Sequence, residues 1–156
     1  MATRYDTDFY GWTQEQAAKL RALLVERSNL DLDIENIAEE IDSLGRSDYR
    51  QLQSRIEEIC IHLLKLHYAL SWEPRNMWRN SVRGQRLRIA KLLKESPSLK
   101  PRLNEALAES YEDALRHFDH EKLISLTMPM HLPGLSPFEI EDVLNDDWWP
   151  EPRGAD

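Results

Sequence analysis

The feature that most constrains this chain is an apolar stripe that runs from Ile34 to Leu70. On a helical wheel of 100° per residue, every member of the stripe lies within about 80° of Ile34. The members are Ile34, Ile37, Ala38, Ile41, Leu44, Leu52, Ile56, Ile59, Cys60, Leu63, Leu66 and Leu70. Two independent helices would have no reason to keep this phase through Gly45. The pattern therefore predicts one long bent helix over about residues 33–70, roughly 55 Å in length.

A helical hairpin is the alternative interpretation of the same stretch. In that arrangement Gly45 follows the C-terminus of one helix, and Ser47 caps the next. Glycine inside a helix costs only about 1 kcal/mol relative to alanine, so its presence does not decide between the two. We favour the continuous helix and keep the hairpin as the alternative.

The rest of the chain also has helical spacing, and strand signals are scarce. We predict a first helix over 14–27, with Thr13 as its N-cap and Gln16 completing a capping box. Further helices are predicted over about 76–95 and 101–120, and a short one begins at Ser136-Pro137 and ends near Leu144. With 156 residues, the expected fold is a single all-α domain over 1–156. It is a helical bundle of four to five main helices with a short C-terminal helix.

Aromatic residues mark both ends of the chain. Residues 1–12 are predicted to form an N-terminal arm whose aromatic rings pack on the helical bundle. The rings are those of Tyr5, Phe9, Tyr10 and Trp12. Near the other end, Trp148 and Trp149 are expected to cover one end of the bundle. Residues 151–156 are predicted to be mobile.

Composition excludes several classes of protein. The single cysteine, Cys60, excludes an intramolecular disulfide and any CxxC metal knuckle, and its place on the apolar stripe predicts a core residue. The longest apolar run, Ala22 to Val25, is far too short to cross a membrane. The N-terminus has no apolar signal-peptide core. We therefore expect a cytoplasmic protein.

A basic helix is the strongest candidate for binding a partner. Residues 75–94 contain seven basic residues and no acidic one, in a chain of net charge -8. We name as partner-binding candidates Arg75, Arg79, Arg83, Arg86 and Trp78. Such a stripe can pair with acidic residues of the same chain, dock a protein, or contact nucleic acid. The acidic balance of the whole chain argues against a general nucleic-acid binder.

Metal ligation is the second possibility, and its candidate residues are Asp33, His62, His117 and His120. Asp33 also suits a helix N-cap. Glu58 and His62 are four residues apart, so the Glu-x-x-His spacing of di-metal bundles does not occur there. If the chain reverses at Gly45, His62 returns near Asp33 and a small site can form. If the helix is continuous, Glu40 and His62 are about 33 Å apart and cannot share a metal.

Several segments of the chain together resemble a known family. They are Tyr5 to Trp12, Asp33 to Ile41, Ser43 to Ser47, His62 to Lys65, Ser96 to Leu99, and Trp148-Trp149-Pro150. The family is the bacterial one known as domain of unknown function number twenty-nine, and the resemblance covers about residues 5–150. It implies an all-helical bundle in a small bacterial protein, and it implies no reaction. The usual Cys-Pro before the last helix reads Ser136-Pro137 here, which argues against a cysteine-based role at that point.

The leading functional expectation is a cytoplasmic protein that acts by protein–protein contact. It would dock its acidic surface on a basic partner, or the basic stripe on an acidic one, and an antitoxin-like role is one version. One alternative is a metal-binding protein or enzyme that uses His62 with carboxylates of residues 31–40. The other is nucleic-acid binding through helix 75–94. No catalytic cluster or phosphate-binding glycine loop is evident, so we expect neither an enzyme nor a cofactor, while a homo-oligomer is compatible with the sequence.

Overall fold

A computed structural model of the chain describes residues 1–26, 29, 31–69, 74–120 and 132–153, and the side chains of residues 118–120 lie outside this description. The helices are α1 (Arg4–Thr7), α2 (Phe9–Glu26), α3 (Ile34–Tyr68), α4 (Arg75–Glu95), α5 (Leu103–His120) and α6 (Ile140–Leu144), with a 3₁₀ helix (Pro97–Arg102) between α4 and α5. No strand occurs in these ranges. The predicted all-α class with a short C-terminal helix is confirmed. Within the described helices, none is long and apolar enough to span a membrane.

The long central helix is confirmed, because α3 runs without interruption from Ile34 to Tyr68. The hairpin alternative is wrong, and the reversal at Gly45 that a shared Asp33–His62 metal site required does not exist. Gly45 is buried where α2 approaches α3. A Cβ atom at Gly45 would lie 2.9 Å from Gln14 Nε2 and closer still to the hydroxyl of Thr13. Glycine therefore serves close helix packing at this position and does not mark a turn.

The contacts of the chain divide it into two compact units, which are described separately. The first unit comprises Met1–Gln51 and Lys91–Arg102, and the second comprises Leu52–Ala90 and Leu103–Asp156. Helices α3 and α4 each contribute residues to both units. The single-domain expectation stays a prediction.

The core of the first unit is small and is built mainly from apolar side chains. Its buried residues include Thr13, Ala17, Ile34, Ala38, Tyr49, Leu92 and Leu99. Two described residues of the predicted stripe are exposed, Ile37 by 41% and Leu44 by 50%. Ile41 is half-buried, and Leu70 lies outside the described residues. The two exposed residues lie at the margin of the apolar arc, about 60–80° from Ile34, on the side away from Gly45 and its contact with α2. The expectation that they face inward was wrong.

The start of α2 differs from the prediction. The helix begins at Phe9, and Asp8 takes the position of its N-cap, since Gly11 N donates to Asp8 Oδ1 over 3.3 Å. Thr13 is buried inside the helix, and its hydroxyl donates to the Tyr10 carbonyl oxygen over 2.7 Å. The sequence suggested Thr13 as the cap because the pattern Thr-x-x-Gln fits a capping box, but Asp8 already fills that role five residues earlier.

The Asp8 carboxylate also joins α2 to the 3₁₀ helix. It accepts hydrogen bonds from Ser98 N over 3.1 Å and from the Ser98 hydroxyl, and Arg4 Nη2 lies 3.3 Å away. Burial raises the pKa of Asp8, but these hydrogen bonds outweigh burial and hold the pKa below its ordinary value. One half-buried side chain thus connects positions that are 90 residues apart in the sequence.

The residues predicted as an aromatic arm are largely helical, and their rings contact one another. The Tyr5 ring meets the Trp12 ring edge to face at 4.9 Å, and Phe9 stacks on Trp12 at 5.9 Å between centroids. Tyr10 takes a separate role, since its hydroxyl accepts a hydrogen bond from Arg102 over 2.9 Å. The Arg102 guanidinium also lies 3.6 Å above the ring of Tyr49.

Asp48 supplies a prediction about pH. Its carboxylate accepts a hydrogen bond from the Ser96 hydroxyl over 3.0 Å, while burial, with a smaller contribution from Glu95, raises its pKa above the ordinary value. The folded state therefore binds this proton more tightly than the unfolded state, and the contribution of Asp48 to stability falls as pH rises from the ordinary pKa through the raised one. Asp48→Asn keeps an oxygen acceptor for Ser96 and loses the charge.

We expect the stability of Asp48→Asn relative to the wild type to be greater at pH 7 than at pH 3.5, as measured by urea unfolding at both values. Asp113→Asn, which changes an exposed carboxylate, serves as the control. The prediction is wrong if the stability difference between Asp48→Asn and the wild type is the same at both pH values.

The second unit has a larger apolar core, contributed by α3, α4, α5 and α6. Its buried residues include Leu52, Ile56, Ile59, Cys60, Leu63, Leu64, Leu66, Val82, Ile89, Leu107, Tyr111, Phe138 and Val143. Burial raises the pKa of the Cys60 thiol to about 12, in agreement with the core role predicted for it.

Helix α6 begins at Ile140 and not at Ser136. The Ser136 hydroxyl instead accepts from Phe138 N over 3.1 Å in a turn before the helix.

The end of the described chain contacts the C-terminus of α3. Arg153 N donates to the His67 carbonyl oxygen over 2.7 Å, and His67 Nδ1 donates to the carbonyl oxygen of Glu151. Part of the predicted mobile tail thus has defined contacts, whereas residues 154–156 lie outside the described residues.

Candidate functional site

The basic helix is α4, and one of its faces is buried in the core. Val82, Gln85 and Ile89 are buried, and Trp78 is half-buried. The four arginine candidates of this helix divide into two kinds. Arg75 and Arg86 bind backbone carbonyl groups of their own chain, whereas Arg79 and Arg83 are exposed.

Arg75 lies at the start of α4 and binds the C-terminal end of α3. Its guanidinium donates to the Leu66 carbonyl oxygen over 2.6 Å and to that of Ala69 over 3.1 Å. The last carbonyl groups of a helix have no partner within the helix, and a cation there also complements the helix dipole. Arg75 therefore has a structural role.

Arg86 is the most buried charged residue of the site, with 3% exposure. Its Nε donates to the Val143 carbonyl oxygen over 2.8 Å, and its Nη2 donates to those of Asp142 and Trp148, each over 3.1 Å. Burial lowers the pKa of Arg86, and Asp146 acts in the opposite direction. The residue thereby fixes α6 and the segment that follows it against α4.

Trp149 is the centre of an arginine cluster. The guanidinium carbons of Arg79 and Arg83 each lie 5.3 Å from its ring centroid, and that of Arg86 lies 4.8 Å away. Three cations of α4 thus lie close to one half-buried indole, which is the ring with the strongest attraction for cations. We call Arg79, Arg83 and Trp149 the arginine–tryptophan surface.

The arginine–tryptophan surface carries positive charge that the described residues do not pair. In the described part of the chain, no acidic side chain lies within ion-pair distance of Arg79 or Arg83. The two guanidinium groups are one helical turn apart, and each presents planar donors that match a carboxylate or phosphate. An anion between them would relieve the repulsion of two like charges. Chemically, the surface is suited to binding anions.

The described metal-ligand candidates Asp33, His62 and His117 do not form a common site. Asp33 is an N-cap for α3: its Oδ1 accepts from Asn36 N over 3.3 Å. His62 Nε2 lies 3.9 Å from Glu58 Oε1, His117 is exposed on α5, and the side chain of His120 lies outside the described residues. Over the described residues, no group of three or more His, Cys, Asp or Glu side chains could hold a metal ion. The interpretation that joins His62 to residues 31–40 is contradicted by the continuous α3.

Sequence reasoning named the basic stripe but missed Trp149 as its shared ring. The spacing of Arg79, Arg83 and Arg86 places three cations on one side of a helix that has no acidic partner for them. This spacing could have indicated that another segment of the chain contacts them. Sequence reasoning also missed Asp8, whose side chain is positioned by residues far away in the sequence.

Comparison with known proteins now decides the family. A family model described as "Domain of unknown function DUF29" matches residues 4–149. The chain belongs to the DUF29 family. This confirms the resemblance derived from the aromatic N-terminus, the central helix and the Trp-Trp-Pro segment. No curated protein matches this DUF29 chain significantly.

A solved structure supports the fold of this DUF29 protein. It is the crystal structure of an α-helical protein of unknown function from Rhodospirillum rubrum, with 28% sequence identity and a TM-score of 0.73. The match covers 95% of this chain and 93% of that one. The similarity therefore extends over nearly the whole length of both proteins.

Proposed function

We propose that this DUF29 protein is a protein–protein interaction module that binds an acidic segment of a partner through the arginine–tryptophan surface. The supporting observation is that Arg79 and Arg83 are exposed, one turn apart and beside the half-buried ring of Trp149, with no described carboxylate to neutralise them. The Arg86 hydrogen bonds hold the Trp149 segment in place, so the surface is formed before a partner arrives. Preorganised groups bind at lower entropic cost.

A peptide partner fits the proposal better than nucleic acid. The rest of the chain is strongly acidic, since the total charge is -8 while residues 75–94 carry seven positive charges. A phosphate backbone extending beyond the small basic surface would meet this negative charge. A short acidic peptide that occupies only the region of Arg79 and Arg83 avoids most of the repulsion.

The test measures binding of a fluorescein-labelled ten-residue Glu- and Asp-rich peptide by fluorescence anisotropy in 50 mM salt. We expect the double variant Arg79→Ala, Arg83→Ala to weaken binding about tenfold, or about 1.4 kcal/mol. The control Arg88→Ala, Lys91→Ala removes the same charge from exposed positions of α4 that do not face Trp149, and we expect a change below about twofold.

Two results would contradict the proposal. Equal weakening by both double variants would show a general charge effect and no defined site. Tighter binding of a labelled single-stranded oligonucleotide than of the acidic peptide would favour the nucleic-acid hypothesis instead.

A further inference from the structure

Helix α3 carries a second surface whose apolar side chains the described part of the chain leaves partly exposed. Ile37 and Leu44 are seven residues apart, so they lie about 20° apart on the helix, and both are large, apolar and substantially exposed. The half-buried Ile41 lies between them on the same side. An apolar row of this spacing on a helix is typical of a docking face for another helix.

The charged residues that α3 itself places beside this row are acidic. Asp33 and Glu40 lie on its outer flank, within about 60° of Ile37 and Leu44, and both are exposed. The basic residues of the same half of α3, Arg46 and Arg50, lie on the other side of the helix, and Arg46 donates to Glu39 there. We call Ile37, Leu44, Asp33 and Glu40 the acidic–apolar edge.

From these charges we propose that the acidic–apolar edge docks an amphipathic helix of a partner protein, with apolar side chains in a row and Lys or Arg beside them. A second copy of this chain fits poorly. Two such edges packed antiparallel around Ile41 would bring the Glu40 carboxylates of both copies to the same contact, where like charges repel. A basic flank on the partner converts the same contacts into ion pairs. The proposal concerns a different surface from the arginine–tryptophan surface and does not depend on it.

The experiment uses a labelled 18-residue helical peptide with Leu at positions i, i+3 and i+7 and Lys beside them, and a matched peptide with Glu in place of Lys. We expect the Lys peptide to bind the wild-type chain at least tenfold more tightly than the Glu peptide. The double variant Ile37→Gln, Leu44→Gln should weaken the Lys peptide about tenfold. Its control, Val25→Gln with Leu87→Gln, changes two other highly exposed apolar residues and should leave binding within twofold.

A charge change tests the edge separately, in case the glutamine pair perturbs the fold. Glu40→Lys should weaken the Lys peptide at least fivefold. Glu35→Lys, an exposed position on the opposite side of α3, should have less than half that effect. Equal effects of these two variants, or unchanged binding in Glu40→Lys, would overturn the proposal.

Measuring the oligomeric state tests whether a second copy of this chain occupies the edge instead. Light scattering of the wild-type chain at about 50 μM should give the same monomer mass as Ile37→Gln, Leu44→Gln. A wild-type dimer that this double variant converts to a monomer would assign the edge to a second copy and overturn the proposal. Arg79→Ala, Arg83→Ala should bind the Lys peptide like the wild type, which separates this result from the test of the acidic-peptide surface.

Discussion

Arg86→Ala should lower the free energy of unfolding by about 3–4 kcal/mol. The substitution removes the donor to three backbone carbonyl groups, those of Asp142, Val143 and Trp148. Each hydrogen bond from a charged group contributes about 1.5–3 kcal/mol, and the losses do not add fully because the three share one guanidinium. For a chain of this length the melting temperature should fall by roughly 10 °C. Urea unfolding followed by circular dichroism measures the free energy of unfolding, and a thermal scan of the same variant measures the melting temperature.

Arg83→Ala is the matched control for this prediction. Arg83 lies over the same Trp149 ring but is exposed. Arg83→Ala should lower the free energy of unfolding by less than about 1 kcal/mol. Arg86→Lys should give an intermediate result, because an ammonium group cannot reach all three carbonyl oxygens in the fork geometry of a guanidinium. A melting temperature for Arg86→Ala within 2 °C of the wild type would show that the carbonyl groups find other donors.

Gly45→Ala should destabilise the protein by about 1–2 kcal/mol, opposite to the usual effect of this change inside a helix. Alanine in a helix interior is ordinarily favoured over glycine by about 1 kcal/mol. At Gly45 the added methyl group would overlap the hydroxyl of the buried Thr13 and crowd Gln14, and overpacking of this kind costs about 1–3 kcal/mol. Thermal unfolding of the purified variant measures the sign directly.

Gly84→Ala supplies the control, since nothing lies within 4 Å of a Cβ atom at Gly84 on α4. This variant should gain about 0.5–1 kcal/mol from helix propensity alone. If Gly45→Ala is stabilising to the same degree, α2 can move away from α3 at no cost, and the packing role assigned to Gly45 is wrong.

The course of α3 could be predicted because its stripe is long. Apolar residues that keep the same helical spacing over more than thirty positions strongly indicate one helix. The single glycine is weak evidence against it. The prediction failed at the margins of the stripe. Ile37 and Leu44 share the apolar character of their neighbours, but burial depends on where α2 packs, and the wheel of α3 alone does not contain this information.

The start of α2 shows another limit of local patterns. Thr13 and Gln16 fit a capping box, and Asp8 is equally a good N-cap residue. What distinguishes them is that Asp8 also binds Ser98, about ninety residues later, while Thr13 packs against Gly45. Both contacts arise only in the folded chain.

The sequence predicted the arginines of the candidate site but not their separate roles. The run of arginines without an acidic residue indicated a charged face, and this was sufficient to name Arg79 and Arg83. It could not separate them from Arg75 and Arg86, whose acceptors are backbone carbonyl oxygens. Because every residue has a backbone carbonyl group, neither composition nor spacing can predict which of these groups an arginine will bind.

The bonds of Asp8 have a consequence for synthesis on the ribosome. Its carboxylate joins Gly11, near the start of the chain, to Ser98, so the partner that anchors the first helices is translated about ninety residues after them. Closing so long a loop is slow relative to forming a helix. Until Ser98 has left the exit tunnel, the N-terminal helices lack this anchor and have only their contacts with α3.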